Sequence, residues 1–338
     1  MDYRDAGVDI SAADAAKERI KRAARGTFNP AVLSEIGSFG GLFRPDFASY
    51  QEPVLVSSTD GVGTKIQVAR QMGVHDTVGY DLVAHCVNDI LVQGASPLFF
   101  LDYLALGRMD PDRVEAVVSG VVRGCQEFGC PLIGGETAEM PGTYAEDDYD
   151  LAGFIVGVVD RRKALPAGVS AGDVLLGLPA AGLHTNGYSL ARQALFTQAG
   201  YEAATVLPEL GTSVGAALLA PHRAYLGALE GLIERGRIHA LAHITGGGFP
   251  GNIPRVLPDG LGALVRRGSW EVPALFRLIQ RSGEVADDEM FRTFNMGIGM
   301  VVAVAPNDLH EVEHSLERRG EPSFLIGSVV AGSGVTFE

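Results

Sequence analysis

The sequence predicts a two-domain α/β protein, and three observations support this fold class. The chain has 338 residues, enough for two domains of roughly 150 residues each. Short apolar runs of strand length alternate with helical patterns along both halves. A connector of small and polar residues, RRKALPAGVSAGD at 161–173, separates the halves. We therefore predict an N-terminal domain at 1–165 and a C-terminal domain at 166–338.

The predicted elements follow one another regularly along the chain. Ser11 is followed three residues later by Asp14, which is typical of a helix start. Further on in the N-terminal half, strands are predicted at 53–58, 97–106, 131–135 and 151–160, and helices at 79–93 and 110–128. In the C-terminal half, strands are predicted at VLLGLP, GALVRR, IGMVVAVA and SFLIGSVV, and helices near 188–199, 214–235, 271–281 and 307–319. This alternation of strands and helices indicates the α/β class.

Composition and charge exclude several classes of protein. With 41 acidic against 27 basic residues, the formal charge is −14, so the chain lacks the basic surface that grips nucleic acid. No apolar run approaches the ~18 residues of a membrane helix. The polar, acidic start does not resemble a signal peptide. We expect a cytoplasmic protein that binds neither nucleic acid nor membrane. Any anionic ligand must be held by a lysine, backbone amides or a divalent cation.

The three cysteines predict neither disulfides nor a zinc site. Cys86, Cys125 and Cys130 are odd in number and have no CxxC spacing. We expect buried, inert thiols.

The stretch SSTDGVGTK at 57–65 is the first candidate site. It matches neither the GxxxxGK[ST] motif nor GxGxxG. Asp60 is suited to a hard cation, Gly61 and Gly63 allow close approach of the backbone, and Lys65 supplies a compact positive charge. The alternative is a glycine turn with a solvated acid and lysine.

Two further stretches carry acids in comparable settings. Asn88 and Asp89 interrupt an apolar helical pattern, where they need partners; magnesium is one, and a helix cap or buried hydrogen bond is the alternative. Glu136 follows the apolar run PLIGG, as Asp60 follows its own strand. Three acids on three elements could converge on one or two magnesium ions that bridge a nucleotide's phosphates.

Two histidines stand beside polar turns of the C-terminal half. His184 lies in GLHTNGYSLAR and His243 in LAHITGGGFPGNIPRVL, and both stretches run into predicted helices whose first amides could bind phosphate. Acid–base catalysis or substrate contact is one interpretation of each imidazole, and a structural hydrogen bond is the other.

Six stretches, taken together and in order, resemble one enzyme family. They are YRDAGVDI, VSSTDGVGTK, GYDLVAHCVNDILVQGASPLFFLDYLA, GGETAEMPG, LHTNGYSL and AHITGGGFPGNIPRVLP. The chain resembles the phosphoribosylformylglycinamidine cyclo-ligases, or aminoimidazole ribonucleotide synthetases, from residue 3 to its end. The resemblance implies a cytoplasmic homodimer of purine biosynthesis with two α/β domains, the first supplying strands to a barrel-like sheet shared across the dimer. It also implies ATP-dependent ring closure of formylglycinamidine ribonucleotide, with release of ADP and phosphate.

The resemblance also implies a set of site residues. The expected magnesium ligands are Asp60, Asp89 and Glu136; the expected ATP-binding residues are Asp60, Gly61, Gly63, Thr64, Lys65, Asn88, Asp89 and Gly135; the expected catalytic residues are Lys65, Glu136, His184 and His243. The segment GSFGGLF at 37–43 corresponds to a stretch that relatives use as a flexible cover over the nucleotide, and a static surface turn is the alternative.

Other members of the wider superfamily fit less well. Selenophosphate synthetases carry a reactive cysteine near the N-terminal glycine loop, whereas no cysteine here precedes Cys86. Hydrogenase-maturation relatives end in cysteine, whereas this chain ends in GVTFE. The alternatives that remain are a thiamine phosphate kinase and a catalytically silent nucleotide-binding dimer.

Overall fold

The computed structural model describes residues 9–338 and confirms the α/β fold class. The first part of the motif YRDAGVDI lies outside the described residues. Two main sheets, of four and six strands, share no strand. The last strand of the first sheet ends at Asp160 and the first strand of the second begins at Val174. The division at 165/166 falls within this connection and stays a prediction.

The elements of residues 9–338 are as follows. The α-helices are α1 (Ile10–Arg25), α2 (Lys65–Met72), α3 (Asp76–Leu91), α4 (Pro111–Glu127), α5 (Tyr188–Arg192), α6 (Val214–Leu218), α7 (Leu226–Glu234), α8 (Gly248–Asn252), α9 (Ala274–Gly283), α10 (Asp287–Thr293) and α11 (Leu309–Glu317). The strands are β1 (Pro53–Gly61), β2 (Ser96–Leu106), β3 (Leu132–Glu139), β4 (Tyr149–Asp160), β5 (Val174–Pro179), β6 (Val206–Leu207), β7 (Thr212–Ser213), β8 (Ala240–His243), β9 (Leu261–Val265), β10 (Ile298–Val304), β11 (Phe324–Ala331) and β12 (Val335–Phe337). Helical turns at 161–163, 193–198 and 253–256 complete the set.

The N-terminal sheet has the strand order β1-β4-β2-β3, with α3 packed on one face and α4 on α3. Strand β4 is antiparallel to both β1 and β2, whereas β2 and β3 are parallel. Helices α3 and α4 approach so closely that a Cβ at Gly79 would lie 2.0 Å from the Val117 carbonyl oxygen. Glycine therefore sets the distance between these helices, and through it the position of α3 on the sheet.

The C-terminal sheet has the order β12-β9-β11-β5-β10-β8. All seven residues of β10 are buried, which explains why its sequence is continuously apolar rather than alternating. Strand β5 has the bounds predicted from VLLGLP. The three cysteines are buried free thiols, as predicted.

The predicted helix at 214–235 is wrong as a single element. Helix α6 ends at Leu218 and α7 begins at Leu226. Pro221 lies between them, and proline lacks the N–H that a continuing helix would need. The resulting segment 219–225 lies against α3, where its backbone hydrogen-bonds to the side chains of Asp81 and Asn88.

The N-terminal helix begins slightly earlier than predicted. The Asp9 side chain, rather than Ser11, caps α1 by accepting a hydrogen bond of 3.1 Å from Ala12 N. Within residues 9–338, no helix has both the length and the apolar character needed to cross a membrane.

Replacing Gly120 with alanine should destabilise the fold. The added Cβ would lie 1.9 Å from the Asp76 carbonyl oxygen, and backbone atoms cannot move aside as a flexible side chain can. Overpacking of this kind typically lowers the free energy of unfolding by about 1–3 kcal/mol. The control is Gly227→Ala, at an exposed position of α7 where no described atom lies within 4 Å of the added Cβ. Urea unfolding should rank the control at or above wild type and Gly120→Ala below it; equal midpoints would contradict the packing argument.

Candidate functional site

One face of α3 is polar and turns toward the C-terminal domain. Asp81, His85, Asn88 and Asp89 are spaced by four, three and one residues, so they lie on the same side of the helix. Each one is hydrogen-bonded to a residue of the C-terminal half. These partners are, in order, His222, Thr185, Arg223 and His243. The polar stripe within the apolar pattern is therefore the junction between the two domains.

Lys65 and Asp81 form a fully buried ion pair within this junction. Their side chains are 0% exposed, and Lys65 Nζ lies 2.6 Å from Asp81 Oδ2. Lys65 Nζ also donates to the carbonyl oxygen of Ala220, and Asp81 Oδ1 accepts from His222 N. Burial lowers the pKa of Lys65 and raises the pKa of Asp81, and the mutual attraction of the pair opposes both shifts. In this geometry Lys65, expected at the phosphates, is engaged at the domain junction.

Asn88 is engaged in the same way. Its Nδ2 donates to Arg223 O over 2.8 Å, and its Oδ1 accepts from Tyr225 N over 3.0 Å. The side chain thus satisfies the irregular backbone between α6 and α7. This geometry matches the buried hydrogen bond, one of the interpretations of Asn88, and the expected contact of Asn88 with ATP stays a prediction.

Asp60, Asp89 and two histidines form a second, more open group. His85 Nε2 lies 2.9 Å from Asp60 Oδ2 and 3.5 Å from Asp89 Oδ2. The other Asp89 oxygen is 2.8 Å from His243 Nδ1, and Ser58 Oγ donates to Asp89. The Asp60 side chain is 45% exposed, so this group opens to solvent at one side. The structure therefore brings together two of the three predicted magnesium ligands.

The carboxylates govern the protonation of His85. Burial lowers the pKa of His85, but hydrogen bonds to Asp60 and Asp89 outweigh burial and raise that pKa to about 9. Burial raises the pKa of Asp89, but the bonds from His243 and His85 more than reverse this, so the pKa falls well below its ordinary value. At neutral pH, the raised pKa makes His85 an imidazolium that lies between the two carboxylates.

Glu136 does not join this group within one chain. The register aligns Gly61, Ala152, Tyr103 and Glu136 across four adjacent strands. Because strands are spaced by about 4.8 Å, Glu136 lies roughly 14 Å from the end of β1. Its immediate neighbour Gly135 shares a sheet face with Asp60, so Glu136 itself points to the opposite face. One magnesium ion therefore cannot contact all three acids of a single chain, and the role of Glu136 as a magnesium ligand stays a prediction.

Gly135 and Glu136 line a separate cavity of about 710 Å³. The segment 36–41 forms part of its wall, together with Lys17 and Lys21 of α1. The predicted cover segment is thus beside a cavity large enough for a nucleotide. Phe39 at its tip is fully exposed.

Asp102 is a buried acid in the wall of the same cavity. A Cβ at Gly135 would lie 2.1 Å from Asp102 Oδ1, so the glycine makes room for this carboxyl group. Burial raises the pKa of Asp102 to about 7. Asp102 is not among the residues predicted from the sequence, because an acid in FFLDY within an apolar strand has no distinctive spacing.

The glycine turn after β1 lies next to the Asp60 group. Asp60 Oδ1 accepts from Gly61 N over 2.6 Å, and Gly63 has a φ of +56°, which favours glycine. Thr64 Oγ1 is 3.2 Å from Ser189 Oγ. The first amides of α2 are therefore near the carboxylates, at the edge of the domain junction.

His184 is enclosed together with His222, which was not predicted from the sequence. The two rings are stacked at a centroid distance of 3.8 Å, and both residues are 1% exposed. His85 was missed as well. The spacing of His85, four residues from both Asp81 and Asp89, is the signal that could have identified it.

Two family models together cover most of the chain. "AIR synthase related protein, N-terminal domain" matches residues 45–159, and "AIR synthase related protein, C-terminal domain" matches residues 170–338. A phosphoribosylformylglycinamidine cyclo-ligase from Desulfitobacterium hafniense is 54% identical over 337 residues, covering 99% of this chain and 98% of the relative. The chain belongs to the phosphoribosylformylglycinamidine cyclo-ligase family. A second cyclo-ligase, from Brevibacillus brevis, is 51% identical over 331 residues, or 98% of this chain and 96% of the relative.

Solved structures with lower identity share the fold of this cyclo-ligase family. Thiamine-monophosphate kinase from Stenotrophomonas maltophilia aligns with a TM-score of 0.67 at 22% identity, covering 96% of each chain. The hydrogenase maturation protein HypE in complex with ATP aligns with a TM-score of 0.64 at 18% identity, covering 93% of this chain and 88% of HypE. These likenesses establish the fold alone.

Removing Lys65 should destabilise the protein through Asp81. Lys65→Met leaves an uncompensated buried carboxylate, at a cost of about 3–5 kcal/mol. The double variant Lys65→Met/Asp81→Asn removes that charge while Asn can still accept from His222 N, so chemical unfolding should show recovery of most of the lost stability. A double variant as unstable as the single one would contradict a mainly structural pair. If the double variant is stable but has no ATP-hydrolysing turnover, that result would instead favour a contact between Lys65 and phosphate.

Asp102 should make stability fall as pH rises. Because the folded-state pKa of about 7 exceeds the ordinary value of 3.8, the folded state binds the proton more tightly. The stabilisation is complete below about pH 4 and is lost as pH rises through 7, at about 1.4 kcal/mol per pH unit for one group. Asp102→Asn should remove this slope and exceed wild type in stability at pH 8, as measured by urea unfolding at several pH values. Asp150→Asn, at an exposed acid of neighbouring β4, is the control; parallel profiles for wild type and Asp102→Asn would refute the assignment.

Proposed function

We propose that the chain closes the imidazole ring of 5-aminoimidazole ribonucleotide from formylglycinamidine ribonucleotide, consuming ATP and releasing ADP and phosphate. The observation that carries this proposal is the 54% identity over 99% of the chain to a relative named phosphoribosylformylglycinamidine cyclo-ligase. A structure of PurL from T. maritima complexed with FGAR also shares the fold, with a TM-score of 0.57. We further propose a cytoplasmic enzyme of purine biosynthesis.

The reaction requires that an unreactive oxygen be made a leaving group. Phosphorylation of the formyl oxygen by ATP converts it to a group that departs as phosphate when the glycosidic nitrogen attacks the formyl carbon and closes the ring. Phosphoryl transfer asks the protein mainly for positioning and for neutralisation of charge. The chain contributes carboxylates, backbone amides at a glycine turn and cationic side chains beside a cavity.

The group around Asp60 and Asp89 fits a magnesium ion. It offers two carboxylates and the Ser58 hydroxyl, which are the oxygen donors that magnesium prefers, and the exposed side of Asp60 leaves room for the waters it retains. An ion bound to both carboxylates would take the place of the His85 imidazolium as their partner. Magnesium would supply positive charge to the phosphates, which a chain with a formal charge of −14 otherwise repels. We retain Glu136 in the proposal as ligand of a second ion only.

The cavity beside Gly135 is the proposed nucleotide site. Its volume suits a ligand of this size, Lys17 and Lys21 supply positive charge, and the segment 36–41 stands at its wall. HypE, which shares the fold, has been solved in complex with ATP. Gly37 has a φ of +102°, and nothing described lies within 4 Å of a Cβ placed there, which suits a segment that closes over a ligand.

A homodimer is proposed through the N-terminal sheet. The face opposite α3 exposes large apolar side chains, among them Leu55 at 61% and Phe154 at 44%. Strand register places Phe154 beside Thr59, on the same face as Leu55. A sheet face with such side chains needs a cover, and a second copy of the same sheet would complete a barrel.

A thiamine phosphate kinase is the competing function, favoured only by the shared fold with the Stenotrophomonas enzyme. ATP hydrolysis that depends on formylglycinamidine ribonucleotide tests the proposal directly. Hydrolysis that depends on thiamine monophosphate would contradict it, and no substrate-dependent hydrolysis would indicate a silent nucleotide-binding protein.

Asp60→Asn should lower kcat by at least about a hundredfold, since it removes a charged ligand of the proposed ion. The thermal midpoint should change little, because the side chain is nearly half exposed. Asp46→Asn is the control, at an exposed acid whose Oδ1 accepts only from the nearby Ala48 N among the contacts of the described chain. Near-normal turnover of Asp60→Asn in a steady-state ADP-release assay would remove Asp60 from the metal site.

A further inference from the structure

Four histidines pack against one another at the domain junction. His85 comes from α3, whereas His184, His222 and His243 belong to the C-terminal half. Ring centroids are 3.8 Å apart for His184 and His222, 5.2 Å for His222 and His243, and 5.0 Å for His85 and His243. None of these residues is more than 6% exposed. Phosphoryl transfer does not require a closed cluster of imidazoles.

Apart from His85 Nε2, which lies 2.9 Å from Asp60 Oδ2, three nitrogens of the cluster are buried without a hydrogen-bond partner in the described chain. They are His184 Nδ1, His222 Nε2 and His243 Nε2. The three histidines can each present a ligand atom within 4.8 Å of the other two. A buried polar atom that is left unpaired destabilises the folded state. Three such atoms within one cluster of rings therefore point to an occupant that binds all three.

Hydrogen bonds orient two of the rings with their lone pairs toward the cluster. His243 Nδ1 is 2.8 Å from Asp89 Oδ1, and His222 Nδ1 is 2.9 Å from Arg223 O. Because a carboxylate and a carbonyl oxygen can only accept, each Nδ1 carries the proton and each Nε2 is an acceptor. The Asp89–His243 pair is the carboxylate–histidine arrangement that holds imidazole ligands of metals in place.

We propose that His184, His222 and His243 bind one divalent transition-metal ion, zinc being the best match, through His184 Nδ1 and the Nε2 atoms of the other two. Neutral imidazole nitrogens suit zinc, whereas magnesium prefers oxygen, so this site differs in chemistry from the one at Asp60. Burial lowers the pKa values of His184 and His222, which keeps both rings in the neutral form that ligates. Three histidine ligands leave the fourth position of a tetrahedral ion open.

The ring distances show which ligand must move. With Zn–N bonds of about 2.0–2.1 Å in tetrahedral geometry, ring centroids lie roughly 5 Å apart. The pair His222–His243 already has this spacing, whereas His184 is closer to His222 and is 6.5 Å from His243. Metal binding therefore swings His184 away from His222 and toward His243.

His184 is the ring best able to make this movement. Arg223 N donates to His184 Nε2 over 3.4 Å, a long bond. While Nε2 of His184 accepts this hydrogen bond, the proton of the neutral ring is on Nδ1. Metal binding at Nδ1 therefore requires that the proton move to Nε2, which breaks the hydrogen bond from Arg223 N. This metal site goes beyond the proposed function, and it assigns His184 and His243, expected to be catalytic residues, to metal binding.

Metal titration of the untagged, chelator-stripped full-length chain tests the site. We expect one equivalent of Zn²⁺ to bind in competition with a chromophoric chelator, in excess Mg²⁺, and Co²⁺ to give the visible spectrum of a nitrogen-ligated tetrahedral ion. His222→Gln should weaken binding at least about tenfold, the lower end of what even an outer-shell change costs. His239→Gln is the control, since His239 pairs with Asp173 outside the cluster and should bind like wild type.

Three results would overturn the proposal: no stoichiometric binding by wild type, equal affinity in His222→Gln, or an equal loss in both variants. Circular dichroism establishes whether His222→Gln folds. If it does not, X-ray absorption of zinc-loaded wild type decides, because three imidazoles at the expected distance support the site and any other ligand set refutes it. Substrate-dependent ATP hydrolysis is measured separately, so failure of the metal site and failure of the proposed reaction give different results.

Discussion

The burial of the polar face of α3 against the C-terminal domain is the constraint on which the rest of the structure depends. Charged and amide groups cannot be removed from water without partners, and here the partners come from the other domain. Asp81 pairs with Lys65 and accepts from His222 N, while Asn88 satisfies the backbone at Arg223 and Tyr225. These contacts fix how the domains meet, since a shift of either domain would leave buried polar groups unpaired.

The same helix face positions the groups that fit magnesium. Asp89 and His85 are the last turn of the polar stripe, and Asp60 meets them from the end of β1. A hydrogen bond to His243 connects Asp89 to the C-terminal sheet. The candidate site is therefore part of the junction, and its geometry follows from the packing that holds the two domains together. The cavity at Gly135 lies at the other edge of the N-terminal sheet. A nucleotide bound in this cavity would therefore have to extend toward the Asp60 group to bring its phosphates to an ion bound there.

Much of the fold was predictable because buried apolar runs have strand length. Strand β5 has the predicted bounds, and the buried β10 differs by one residue from its prediction. The helix expected at 214–235 failed because its apolar period continues across Pro221, where the backbone cannot continue the helix. That break creates the segment 219–225, which contacts α3. The wrongly predicted part of the helix is therefore the part that forms the domain junction.

The candidate site was predictable only in part. Residue types identified Asp60 and Asp89, but not the direction in which Lys65 points or the partners of Asn88. Strand order is not readable from one sequence, which is why Glu136 was expected beside Asp60 although the register places it at the far edge of the sheet. His222 was missed because a single histidine in an irregular stretch has no distinctive pattern until its neighbours in space are known, whereas the four-residue spacing of His85 from Asp81 and Asp89 is a signal that the sequence does carry.

The central claim is that the domain junction brings Asp60 and Asp89 together around one divalent ion. A crystal structure of the chain with Mn²⁺ in place of Mg²⁺ and a non-hydrolysable ATP analogue tests it most directly, because anomalous scattering locates the manganese independently of the protein. We predict a manganese peak in contact with carboxylate oxygens of both Asp60 and Asp89. Manganese bound only near Glu136, with the Asp60 and Asp89 carboxylates still on His85, would contradict this claim.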